Sequence, residues 1–460
     1  MKINNPRLNP RRYAVGCWLE LGAEVAALVA AAAAVASIAR WSSVGFVPVP
    51  ATLVGYVAVL VTTVPAVWLL ATERGWRFMG RLARKRCWRV RWREAVGVAS
   101  QEKLAPGRVV VAWRTRYGAA LVVALPRGRW IGDYRALEPR LTTALGAQAG
   151  VRVRQHHRQP RLAQVRVRRR DPLADVSPIE RVADRTSWRR PVAIGVDEDG
   201  RPVRLDLVRA VHVLVGGTPG SGKSTLGHVL IAHLALDPRV SLRLCDGKEG
   251  IELADWAPAA DAYAHEEPLM LAVLEQAYRD MQSRAAWLRE HGLKSYADSK
   301  ELRPVVVVAD EFTTLTDSRE VWQGTDGRKS TIGAEATRLL RLLARLGRAP
   351  GVHLILLTQR PDAKTVDGTV RDNLPCRVAM RVLTPDASDV ILGRGNASCG
   401  HDASQITTRG VGIVHLDGQL EPRLFRSYYL PATVLRDAQH RAAQRRHGTP
   451  LDEEDLDDAA

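Results

Sequence analysis

The residues with the clearest chemistry are nine in a row, Gly217-Thr218-Pro219-Gly220-Ser221-Gly222-Lys223-Ser224-Thr225. Two glycines enclosing four residues, followed by Lys and Ser, make the phosphate-binding P-loop pattern. Glycines let successive backbone N–H groups turn inward around a phosphate, and a helix beginning there adds the positive end of its dipole. On this pattern Lys223 neutralises the β- and γ-phosphates of ATP, and the Ser224 hydroxyl ligates Mg²⁺. Further along, the apolar run Pro304-Val305-Val306-Val307-Val308-Ala309 ends in Asp310-Glu311, a Walker B pattern. There Asp310 holds Mg²⁺, directly or through water, and Glu311 orients and deprotonates the attacking water as a general base. A third apolar run, residues 351–357, ends in Thr358-Gln359-Arg360-Pro361. A polar pair beside the γ-phosphate can sense hydrolysis; simple capping of a strand end is the plainer alternative for Thr358 and Gln359.

Such groups act together only if the chain brings the three runs to one edge. Val211-His212-Val213-Leu214-Val215 reads as a buried strand ahead of the glycines, and residues 226–236 carry apolar residues at helical spacing behind them. A strand buried on both faces of a parallel sheet is continuously apolar, as residues 304–309 are. Ligands bind at the carboxyl ends of strands in open α/β sheets, and all three chemical runs fall at such ends. Residues 241–245, 377–382, 410–416 and 423–430 supply further strands, and 269–291 and 339–346 supply helices. Residues 192–207 read as a hairpin turning at Asp199-Gly200. The expected fold class is α/β: a RecA-like P-loop motor domain with a mostly parallel sheet, preceded by a two-helix transmembrane hairpin and a small α/β domain.

Hydropathy and charge define those preceding parts. Residues 14–39 are almost wholly apolar, interrupted by Glu20 and Glu24, and residues 51–71 form a cleaner apolar run. Each is long enough to span a bilayer; a soluble helical hairpin is the alternative. Arginines crowd the segment after the second run, with Trp76, Trp88 and Trp92 among them. This reads as an interfacial anchor on anionic membrane lipid, with both termini cytoplasmic by the positive-inside rule. Residues 107–170 alternate strand and helix patterns. The last two strands, 151–155 and 164–168, alternate Val with Arg, leaving one apolar and one basic face. The basic face suits either a nucleic-acid channel or plain solvation.

Over 460 residues the net charge is +18, from 67 Lys and Arg against 49 Asp and Glu. Such a surplus points to nucleic acid or anionic lipid, although a GC-rich genome also raises Arg content. The five cysteines are scattered, with neither zinc-site nor disulfide-framework spacing. The expected organisation is a membrane anchor over residues 1–75, a basic juxtamembrane segment over 76–106, a small α/β domain and linker over 107–190, the motor over 191–435 and a charged, disordered tail over 436–460. The protein is expected in the cell membrane, multi-pass, with its motor in the cytoplasm.

Taken together, these motifs resemble the FtsK/SpoIIIE family of DNA translocases. The resemblance rests on Gly217 to Thr225, on Asp310-Glu311-Phe312, and on the block Gly347-Arg348-Ala349-Pro350-Gly351-Val352-His353 through Thr358-Gln359-Arg360-Pro361. Asn373-Leu374-Pro375-Cys376-Arg377 and residues 386–393 extend it, so that it covers about residues 190–430. The resemblance implies an ATPase that moves double-stranded DNA, with ATP and Mg²⁺ as cofactors, working as a homo-hexameric ring with DNA in the channel and each ATP between two subunits. It also makes Arg348 the first candidate for a cation reaching a neighbouring subunit's γ-phosphate, with Arg345 and Arg377 in reserve. A solvated Arg at a helix end is the alternative. Two expected spans instead of four, and no long linker or winged-helix domain, resemble the transfer proteins of actinobacterial conjugative plasmids and integrative elements. Conjugative DNA transfer and chromosome or plasmid segregation are the roles this implies. A type VII-like protein-secretion ATPase and a non-motor nucleotide-binding regulator are the alternatives. The intact set of Lys223, Asp310, Glu311 and Gln359 argues against the regulator.

Overall fold

The computed structural model describes residues 73–447, apart from 157–158, 175–177, 184–185, 211, 325–326 and 363–365. The two expected membrane spans lie outside the described residues. Among the described residues, no helix is long and apolar enough to cross a membrane. The chain divides into two compact units, Met1–Asp171 and Pro172–Ala460.

In the first unit, helix α1 (Glu73–Ser100) precedes strands β1 (Arg108–Thr115) and β2 (Gly118–Ala124), helix α2 (Glu138–Leu145), and strands β3 (Val151–Gln155) and β4 (Leu162–Arg168). The sheet is antiparallel, in the order β1-β2-β4-β3. Period-two alternation sends Leu121, Val123, Val151, Val153, Val165 and Val167 to one face, where they meet Trp88, Trp92, Val96, Leu141 and Leu145 from the helices. This corrects the expected interfacial role of Trp88 and Trp92; the side chain of Trp76 lies outside the described residues. Trp92 is 1% exposed, donates its indole N–H to the Pro106 carbonyl, and stacks on Tyr134 at 6.4 Å. Trp88, Trp92, Ala95, Val96 and Ala99 recur at helical spacing and bury one stripe of an otherwise Arg-rich helix. Of the expected basic juxtamembrane segment, the stretch from Trp88 to Ala99 therefore contributes to the domain's core.

In the second unit a ten-stranded sheet runs β6-β5-β16-β15-β14-β7-β13-β10-β8-β9. Its members are β5 (Val192–Asp197), β6 (Pro202–Leu205), β7 (His212–Gly216), β8 (Ser241–Asp246), β9 (Ala262–Ala264), β10 (Val305–Asp310), β13 (Val352–Thr358), β14 (Cys376–Met380), β15 (Val411–His415) and β16 (Arg423–Ser427). Strands β14 to β9 are mutually parallel, and β15, β16, β5 and β6 extend one side as an antiparallel ribbon. A separate exposed hairpin pairs β11 (Val321–Gln323) with β12 (Lys329–Thr331).

Cores cover both faces of this sheet. Val306 and Val308 of β10 pack with helix α3 (Lys223–Ala235), while Val305, Val307 and Ala309 pack with helices α4 (Glu267–Glu290) and α5 (Ile332–Leu346). That double burial is why β10 is apolar without interruption. Thr331 caps α5 by accepting a hydrogen bond from the Ala334 N–H at 3.2 Å, and Glu335 in its first turn binds Arg338.

Two boundaries differ from expectation. Residues 172–190, expected as linker, belong to this unit: Trp188 is buried, donates its backbone N–H to the Asp237 carboxylate at 2.8 Å, and stacks on Tyr296 at 5.3 Å. Residues 436–447, expected as disordered tail, lie in helix α6 (Ala432–His447). Ala438 and Ala442 enter the core, and Arg445 and Arg446 donate to the carbonyls of Leu236 and Val240. Arginine-rich sequence concealed both helices, because the stems of long cations cover apolar surface while their heads reach backbone carbonyls or water.

Candidate functional site

Three neighbouring strands of the parallel block end at the same edge of the sheet, and each delivers one part of the site. β7 ends in the glycine loop, β13 in Thr358, and β10 in Asp310. The loop is fastened on both sides. The Gly217 N–H donates to the Thr358 carbonyl at 3.1 Å, and the Thr218 N–H and hydroxyl donate to the Arg381 carbonyl at 2.9 and 3.0 Å. Gly222 has φ +108 and forms the N-cap of α3, a left-handed conformation that a side chain would strain. The Ser221 hydroxyl is buried among these groups and has no hydrogen-bond partner among the described residues.

Lys223, 3% exposed, reaches across to the Asp310 carboxylate. A second lysine, Lys248, stands 2.8 Å from the other oxygen of Asp310. It arrives from the loop after β8, whose Asp246 is paired in register with Asp310. The Asp246 carboxylate accepts the N–H groups of Lys248, Glu252 and Leu253 at 3.0, 2.9 and 2.7 Å and so fixes that loop. A Cβ on Gly247 would fall 2.5 Å from the Glu311 carbonyl, so only glycine lets this loop approach the acid pair so closely. Glu252 lies beside Lys248 at 3.4 Å and His228 at 3.4 Å. The hydrogen bond from His228 lowers its pKa to about 2; burial opposes this and Lys248 assists it. The Trp256 indole N–H donates to His228 Nδ1 at 3.1 Å, leaving Nε2–H to face Glu252. The Lys248 pKa is raised: burial would depress it, and the hydrogen bond and charge of Asp310 overcome that.

Glu311 has φ +49, an uncommon conformation for a residue other than glycine, and opens the short helix Phe312–Thr316. Its carboxylate accepts Thr313 Oγ1 at 2.7 Å, Thr358 Oγ1 at 3.1 Å and the Gln359 N–H at 2.9 Å. Thr358 and Gln359 are thus tied directly to the acid expected to act on water, a closer link than strand-end capping alone. Gln359 also lines an open depression of about 80 Å³ over the glycine loop, together with Arg409. Arg409 is held there because the Gly410 N–H donates to the Ser221 carbonyl at 2.8 Å.

Arg348 lies elsewhere. It is exposed and precedes the first residue of β13, whereas Thr358 ends that strand. Seven residues at about 3.3 Å each place it roughly 20 Å along the sheet from its own subunit's glycine loop. Arg345 is also exposed, but Arg377 spends its guanidinium on the carbonyls of Leu374 and Arg371 at 3.0 and 2.9 Å. Sequence reasoning missed Lys248 and Arg409. The first stands at a strand's carboxyl end, a position that marks ligand sites; the second sits late in a loop that carries no such signal.

The residues present fit a nucleotide and a hard cation. A glycine cradle, a buried hydroxyl without a partner and an adjacent lysine suit phosphate oxygens, while Ser224 and Asp310 offer oxygen donors of the kind Mg²⁺ takes. A glycine loop on one strand end, an acid pair on the second strand over and a polar pair between them define the P-loop ATPase class. Within that class, residues 179–363 match the sequence profile of the FtsK/SpoIIIE family. The DNA translocase FtsK of Helicobacter pylori is 30% identical over 224 residues, 45% of this chain and 24% of that protein. FtsK of Pseudomonas aeruginosa is 26% identical over 261 residues, 48% of this chain and 31% of that protein. The chain thus spans about a quarter to a third of the length of these relatives. The pCW3 conjugation coupling protein TcpA, solved as a monomer with ATPγS, superposes with a TM-score of 0.50 at 20% identity over 74% of this chain and 94% of that chain. At that identity the likeness is one of fold.

Proposed function

We propose that the protein is a membrane-anchored, ATP-driven translocase of double-stranded DNA, serving conjugative DNA transfer or chromosome or plasmid segregation. The observation that carries the reading is the meeting of Lys223, Asp310, Glu311 and Gln359 at the carboxyl edge of three adjacent strands. Lys223 holds the β- and γ-phosphates, and backbone N–H groups of the glycine loop cradle them. Ser224 and Asp310 hold Mg²⁺, which when bound neutralises charge on the phosphates. Glu311 orients a water and takes its proton. Gln359 lines the depression over the glycine loop while its N–H donates to the Glu311 carboxylate, so loss of a γ-phosphate there would be felt at the base and at the end of β13 together. A homo-hexameric ring, with Arg348 completing the neighbour's site, and an anchor in membrane lipid belong to the same reading.

The test is Glu311→Gln. Positioned groups supply most of the catalysis in phosphoryl transfer, so turnover with duplex DNA present should fall roughly 100-fold or more. Binding of a fluorescent ATP analogue should persist. Hydrolysis at the wild-type rate would remove Glu311 from the mechanism.

A further inference from the structure

The positive charge of the chain is not spread along it. Residues 1–171 carry 30 Lys and Arg against 8 Asp and Glu, whereas residues 172–460 carry 37 against 41. The surplus of +22 therefore belongs to the first unit, and the unit holding the nucleotide site is net negative by four. A motor that grips a polyanion needs cations in contact with it, and most of the molecule's attraction for one originates outside the motor unit.

The sheet of the first unit shows where those cations can act. Its inner face is covered by α1 and α2. On the outer face, register places Trp113, Ala120, Arg166 and Arg152 in one row across the four strands, and Val111, Val122, Gln164 and Arg154 in the next. These two rows contain three arginines and no carboxylate. Ala120 is small, so the Arg166 guanidinium reaches over it to the Trp113 ring, 5.6 Å from the centroid. Trp113 and Val111 are 36% and 48% exposed, and the Arg152 side chain is 40% exposed. Arg152 also meets Glu138 of α2 at 3.1 Å, at the edge of the sheet. Successive outward residues on a strand stand about 6.6 Å apart and neighbouring strands about 4.8 Å, so three arginines rise from two adjacent rows of this face. Guanidinium is the group best matched to phosphate oxygens.

We propose that the outer face of this sheet, through Arg152, Arg154 and Arg166, is a contact surface for the phosphate backbone of duplex DNA. The inference rests on the translocase reading and adds that the first unit supplies electrostatic grip while the second supplies chemistry. Duplex DNA is favoured over a lipid surface because the face belongs to a chain whose proposed cargo is DNA and whose motor unit carries no charge surplus to hold it.

The experiment uses the full chain in detergent, a fluorescein-labelled duplex of unrelated sequence, and anisotropy titrations from 50 to 300 mM salt. Three proteins are compared: wild type, Arg152→Gln/Arg154→Gln/Arg166→Gln, and a motor-unit control, Arg289→Gln/Lys294→Gln/Lys300→Gln, with the same loss of charge at exposed positions. Each phosphate contact contributes about 0.9 to the slope of log affinity against log salt. The sheet variant should therefore lose about 2 to 3 from that slope and at least about tenfold in affinity at 100 mM salt, while the control matches wild type. Binding of a fluorescent ATP analogue should be equal in all three. A sheet variant that keeps the wild-type slope and affinity overturns the proposal. So does one that keeps DNA binding but loses binding to phosphatidylglycerol vesicles, which would assign the face to lipid. If wild type itself binds ATP but no duplex at any salt, the translocase reading fails first, and the proposal falls with it.

Discussion

Two lysines face one aspartate at the centre of the site, and they do different work. Lys223 is placed by the glycine loop to meet phosphate, whereas Lys248 approaches from the side, on a loop fixed by Asp246. On the proposed reading Lys248 is a positioning residue that would hold the Asp310 carboxylate in the orientation a bound cation needs. Lys248→Ala should lower ATP turnover by about 10- to 100-fold, the usual cost of a sub-ångström to ångström misplacement of a catalytic group. It should also raise the Mg²⁺ concentration giving half-maximal turnover, while fluorescent ATP analogue affinity in EDTA stays within about twofold. A simple fall in turnover with an unchanged Mg²⁺ dependence would assign Lys248 a merely structural part. Lys223, Asp310, Glu311 and Gln359 were legible because each sits in a motif with fixed spacing. Lys248 was not, because its place depends on β8 lying beside β10, a pairing across about sixty residues of chain that no local pattern encodes.

At the scale of elements, β7 carries a consequence of its burial. His212 opens this strand, and its Nδ1 accepts the Leu354 N–H of β13 at 3.1 Å. Burial, reinforced by His353, lowers its pKa to about 3. The unfolded chain takes up the proton below its ordinary value of about 6.5 while the folded chain does not. Stability is therefore full above pH 6.5 and falls by up to about 1.4 kcal/mol per unit as pH drops towards 3. His212→Asn keeps an acceptor for Leu354 and removes the titration, so its thermal midpoint should fall less between pH 7.5 and 5 than that of wild type. Equal falls in the two proteins would mean that other groups set the acid sensitivity. A strand buried on both faces, such as β10, could be read from its unbroken apolar run. Helices α1 and α6 could not, because a narrow stripe of Trp, Ala and Val is hidden among arginines whose charge dominates any local average. The hairpin of β11 and β12 is exposed and short, and its few alternating residues gave no period to read.

For the whole molecule, the nucleotide site lies on one unit and the charge surplus on the other, and in the proposed ring each subunit would complete its neighbour's site. Arg348 is exposed and about 20 Å from its own glycine loop by strand length, so on the proposed reading it would serve a neighbouring subunit's nucleotide. Arg348→Ala and Lys223→Ala should each abolish DNA-stimulated ATP hydrolysis, by roughly 10³-fold or more if the arginine acts in trans. Mixed in equal amounts, the two mutants should regain part of the activity, since some interfaces then pair an intact Lys223 with an intact Arg348. Full activity of Arg348→Ala alone would place the cation elsewhere.

On the proposed reading, ATP hydrolysis at this site moves the protein along duplex DNA. The direct measurement is displacement of a labelled triplex-forming strand from the end of a linear duplex, with the full chain in detergent. Wild type with ATP and Mg²⁺ should displace the strand after a lag that lengthens with the distance from the free duplex end. Glu311→Gln, and wild type with ATPγS, should bind the duplex and leave the strand in place. Steady ATP hydrolysis that duplex DNA does not stimulate, with no displacement at any duplex length, would contradict the account.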